Sequence, residues 1–185
     1  MAFFKQISAL AIALSAGGGF SQPAAADSRP TRCAAAVATL EAIRGEASKK
    51  SYSTASPSSL SETLTPTTFV KAWDGKTPPP GLLSPLKASV SVSALTCEGV
   101  RRAAERGGTV LNEGDWKDQL NVMRSHPAIT YFYRISLPAI DRSGKHAVVA
   151  VLRSSNKLSG DLRLFYLQWV GGRWVMSGAK ILLIA

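Results

Sequence analysis

Cysteine and histidine are both scarce in this chain of 185 residues, with two of each. His126 and His146 stand twenty residues apart, with no cysteine pair at ligand spacing beside them, which leaves no zinc pattern. The one acidic cluster, Glu113, Asp115 and Asp118, lacks the loop of oxygen ligands that calcium needs and reads as helix N-terminal charge. No serine sits in a G-x-S-x-G elbow. Gly107-Gly108 lacks the Lys-Ser/Thr of a phosphate loop. The sequence therefore names no metal, no cofactor and no catalytic constellation. Carboxylates are also few, 12 against 22 Lys+Arg. A glycan-cleaving pair could be drawn from Glu98, Glu105, Glu113, Asp115 or Asp141, but nothing selects two of them.

What is present begins with an export signal. Lys5 and the amino terminus supply positive charge, and residues 6–16 form an apolar stretch. That stretch is shorter than the roughly 20 residues a membrane-spanning helix needs. Gly17-Gly-Gly19 and Pro23 then break any helix, and Ala24-Ala25-Ala26 offers small residues to a signal peptidase. Cleavage is expected after Ala26, and no transmembrane segment is expected in the mature chain. The mature chain loses Lys5 and keeps a formal charge of +9, from 21 basic and 12 acidic residues. The expected location is periplasmic or secreted.

In an oxidising compartment two cysteines imply a disulfide, and Cys33 with Cys97 is the only pairing possible. It closes a loop of 65 residues counting both ends. In the chain-entropy account such a closure contributes about 4 kcal/mol.

The apolar residues Cys33, Ala36, Val37, Leu40, Ile43 and Ala47 predict a helix over 32–50, with Thr31 as its cap. Residues 51–86, rich in Ser and Pro, read as a linker or loop region with a short helical turn within 62–73. Thr77-Pro-Pro-Pro-Gly81 reads as a stiff extended connector. Residues 87–185 read as the core domain. Within it, Lys87–Leu95 alternates and predicts a half-exposed strand. Residues 98–106 predict a short basic helix, stopped by Gly107-Gly108, and Asp115 caps another helix that Pro127 ends.

The C-terminal third predicts strands over 129–137, 146–152 and 162–170, with a two-residue Gly171-Gly172 turn into Arg173–Met176. The unbroken apolar run Ala147–Leu152 predicts a central strand covered on both faces. The expected fold class is α+β: an antiparallel C-terminal meander of three to four strands, packed by the helices at 32–50 and 115–125.

The remaining functional signal is positive charge interleaved with aromatics. Arg101, Arg102 and Arg106 share a helical spacing. Arg134, Arg163 and Arg173 alternate with Tyr131, Tyr133, Tyr166 and Trp169 along the strands. These six arginines are the candidate anion-binding residues. The expected role is a non-enzymatic binding module for a protein partner or an anionic glycan or lipid of the cell envelope. Export argues against nucleic acid as the ligand. The alternative is an envelope hydrolase acting on glycan or peptide, with His126 or His146 and one carboxylate as the working pair.

Overall fold

A computed structural model describes residues 31–46, 50–58, 61–112, 131–155 and 159–184. The expected signal peptide, the expected helix at 115–125 and His126 lie outside the described residues. The fold is α+β, built on one mixed, mostly antiparallel sheet. Its strands are β1 (Lys50–Ser53), β2 (Asp74–Gly75), β3 (Thr109–Leu111), β4 (Tyr131–Ile135), β5 (Ala139–Ile140), β6 (His146–Ser155), β7 (Gly160–Val170) and β8 (Arg173–Ile184). The order across the sheet is β2-β8-β7-β6-β4-β1-β3, with β5 paired to β6. Four helices accompany it: α1 (Arg32–Ile43), α2 (Pro66–Val70), α3 (Leu83–Ser89) and α4 (Glu98–Gly107).

The antiparallel run β4-β6-β7-β8 is the expected meander. Gly171 and Gly172 take φ of 57° and 80°, the left-handed conformation that a two-residue turn requires and glycine adopts without strain. β6 is central, and its apolar run is divided between two cores. Ala147, Val149 and Val151 face one, with α1 packed on β6 and α4 packed beside α1 in the same core. Val148 and Ala150 face the other, beneath residues 64–90.

Cys33 and Cys97 stand at disulfide distance, Cα–Cα 5.7 Å. They join the first turn of α1 to the residue that caps α4. The two helices therefore start side by side on one face. Thr31 caps α1 as expected, its hydroxyl accepting from the Ala34 amide at 3.1 Å.

Three expectations need correction. The first helix stops at Ile43, followed by a 3-10 turn over Arg44–Glu46, and Lys50 opens a strand instead of ending a helix. The stretch 51–86 is more than linker. It supplies β1, α2 and part of α3, and it buries Leu64, Phe69, Leu82 and Leu86 completely. Its serines hid the strand: Ser51 and Ser53 lie buried inside the sheet, although serine carries no strand signal. The alternation over 87–95 is not a strand either. Leu82, Leu86 and Val90 repeat every four residues, all are fully buried, and α3 with its two capping residues carries that stripe. The Ser89 and Ser91 hydroxyls return to carbonyls three residues back, Leu86 and Ala88, which satisfies them locally.

A short strap, β2, closes the far edge by pairing with β8 at Ala179 and Gly178. It fits only because position 178 lacks a side chain: a Cβ there would lie 2.2 Å from the Lys76 carbonyl oxygen. Lys180 secures the same strap, donating from Nζ to the carbonyls of Thr68 and Lys71 at the end of α2. Leu86→Ala should lower unfolding free energy by about 3 kcal/mol in urea titration; a residue in a loose linker would give close to zero.

Candidate functional site

Strand alternation and register decide which polar side chains meet. Arg153 on β6 is paired with Asp161 on β7, and Val151 with Arg163. All four point to the α1/α4 face, because Val151 belongs to that core. Asp161 is nearly buried at 6 % exposure. Its Oδ2 accepts from both guanidiniums, from Arg153 Nη2 and from Arg163 Nη2 at 3.0 Å, and Arg163 Nε lies 2.8 Å from Oδ1 as an ion pair. One acid thus orients two bases on adjacent strands. Charge-assisted, fork-shaped contacts of this kind fix direction as well as supplying energy.

Aromatic rings extend the cluster along the same face. The Arg153 guanidinium lies 4.6 Å from the Tyr131 ring centre, a cation–π distance. Tyr131 is followed by Tyr133 at 6.4 Å and Tyr52 at 5.6 Å from it. Lys50, buried at the head of β1, is paired with Tyr131.

Beside Arg163 the face is concave. α1 packs on β6 and β8. The lower corner of β7 and β8 remains open as a cavity of about 440 Å³. Phe165, Ala179 and Ile181 line it with apolar surface, and Ala72, Asp74, Arg163 and Lys180 complete the wall.

The six expected anion-binding arginines do not converge. Arg101 and Arg102 are exposed on α4, each in an i,i+4 ion pair at 3.1 Å, with Glu105 and Glu98. Arg106 is exposed in the last turn of α4, and Arg173 is exposed at the β7–β8 hairpin. Arg134 lies between the core residues Tyr133 and Ile135 and so points to the opposite face. Only Arg163 joins the site. Its partners Arg153, Asp161 and Lys50 were missed, although period-two reading from Val151 would have put Arg153 on the core-facing side.

His146 is engaged with an aromatic hydroxyl rather than a carboxylate. Its Nδ1 lies 2.6 Å from the Tyr166 oxygen, with the rings stacked at 17°. The neighbouring carboxylate, Asp141, is occupied by its own turn, accepting from the amides of Lys145 and His146 and from the Ser143 hydroxyl at 2.8–3.2 Å. Nearby, Gln168 Oε1 accepts from Lys76 Nζ and Ser177 Oγ, both at 3.0 Å. Among the described residues, no group of three or more His, Cys, Asp or Glu could hold a metal ion. Nor is any helix among them long and apolar enough to cross a membrane.

Comparison with known proteins leaves the geometry to stand alone: no family model matches the chain, and neither a curated protein nor a solved structure is significantly similar to it.

Two expectations follow from the ionisable groups. Asp161→Asn removes the shared counter-charge of two partly buried arginines and should cost about 2–4 kcal/mol in denaturant unfolding, whereas Arg101→Ala, on a solvated pair, should cost no more than about 0.5. Burial raises the phenols of Tyr52 and Tyr166 above their ordinary 10.0; the Arg44 charge opposes this at Tyr52, whereas at Tyr166 a Gln168 hydrogen bond opposes it and the Asp141 charge adds to it. Their contribution to stability is complete below pH 10.0 and is lost as pH climbs through the raised folded values, because the unfolded chain ionises first. An alkaline titration followed by phenolate absorbance should show Tyr52 and Tyr166 titrating late, and Tyr52→Phe or Tyr166→Phe should each remove one late-titrating phenol.

Proposed function

We propose that the chain is exported, with its first 26 residues removed after Ala26, and that it acts in the periplasm or outside the cell as a non-enzymatic binding module for an anionic envelope component. The observation that carries this reading is the Arg153–Asp161–Arg163 cluster: two guanidiniums held in fixed directions on adjacent strands, next to tyrosines and an open concavity. Pre-oriented guanidiniums on rigid strands lose little freedom when an anion docks, and so suit recognition better than mobile surface lysines. The formal charge of +10 for the whole chain draws anions in from a distance, without selecting among them. Support for a non-enzymatic role comes from His146, whose Nδ1 is bonded to a tyrosine hydroxyl while the adjacent Asp141 serves its turn.

The test begins with amino-terminal sequencing of protein recovered after export, which should read from Asp27. That protein is then bound to anionic and neutral envelope fractions at low and high salt. Arg153→Gln with Arg163→Gln should weaken anion binding about tenfold or more, while Arg101→Gln with Arg102→Gln changes it little. Equal losses from the two pairs would mean that charge acts generically, and the site assignment would fall.

A further inference from the structure

The cavity beside Arg163 has a chemistry narrower than positive charge alone. Its floor, Phe165, Ala179 and Ile181, is apolar, and Ile181 is 51 % exposed, an unusual degree for an isoleucine on a sheet. Arg163 stands at one end of that floor, its guanidinium anchored by Asp161 through a hydrogen bond from Nη2 and an ion pair at Nε. Asp74 lines the other side from the edge strand β2, which is two strand spacings from β7, or roughly 10 Å. A ligand here meets the Arg163 guanidinium, then apolar surface, then the Asp74 carboxylate, while Lys180, the second cation of the lining, is engaged by the Thr68 and Lys71 carbonyls.

We infer that this cavity takes a small organic monoanion with an apolar body, the chemistry of a medium-chain acyl carboxylate. The ligand's charged end meets Arg163. Its body covers Phe165, Ala179 and Ile181, removing apolar surface from water. Asp74 repels a second negative charge at the far end, so a dianion of the same length is rejected. A cavity of about 440 Å³ lies within the usual range of small-molecule sites, and its lining joins apolar surface to three charged side chains, Asp74, Arg163 and Lys180. This inference rests on the proposed anion-binding role and names the ligand class for one corner of the same face.

The probes are decanoate, decanol and decanedioate, titrated calorimetrically into protein recovered after export. Decanoate should bind saturably, with decanol and decanedioate each about tenfold weaker or more, as expected for loss of one charge-assisted contact or addition of one repulsion. Arg163→Gln should bring decanoate down to the level of decanol. Ile181→Asp, at a half-exposed position paired with Arg163, should abolish decanoate binding while leaving thermal unfolding in place. If no probe saturates, or all three bind alike, the inference is overturned. If decanoate fails while Arg153→Gln with Arg163→Gln still selectively weakens envelope-anion binding, the ligand class is wrong and the broader role stands; if that pair has no selective effect either, both fall.

Discussion

The structure depends on one strand being apolar on both sides. β6 places Ala147, Val149 and Val151 in one core and Val148 and Ala150 in the other, all at 1 % exposure or less. Its backbone is bonded to β7 over nine registered pairs and to β4 over five. Each helical layer packs on a face that this strand helps to create. A polar residue anywhere in the run would be buried without a partner on one side or the other, at a cost of about 1–3 kcal/mol. The charged cluster exists because β6 outruns this apolar stretch: Arg153 comes two residues after Val151, where the α1/α4 face opens toward the sheet's lower edge.

How much of this was legible in the sequence depended on whether the signal was local. The meander strands, the Gly171-Gly172 hairpin and the disulfide were legible, because period-two patterning, a glycine pair and a sole cysteine pair each stand on neighbouring residues or simple counts. β1 was not. Lys50-Ser-Tyr-Ser53 has no apolar alternation, and its pairing partners lie about 60 and 80 residues downstream. Tertiary packing, not propensity, makes it a strand. α3 failed for a different reason. Its serines mimic a period of two, and only the stripe that begins earlier, at Leu82, discloses the helix.

The site was half-legible. Arginine and tyrosine on the strands were apparent, but register decides which of them share a face. Without knowing that Arg153 pairs with Asp161, the basic residues of α4 looked as eligible as those of the sheet. In the structure Arg101 and Arg102 of α4 are paired with glutamates one turn away and stand in solvent. Proximity to a buried carboxylate, which no linear spacing announces, separates the two groups.

The place of β1 constrains how the chain reaches this state. It lies between β3 and β4 and runs parallel to both, yet it precedes both in sequence. Emerging early, it has no neighbour to bond until residues 109–111 and 131–135 exist. The meander, by contrast, joins strands that are consecutive in sequence and close by short turns. Loop-closure entropy therefore favours a C-terminal half that assembles first and an N-terminal strand that is threaded in last. A chain built in this order stays incomplete until most of it has been made.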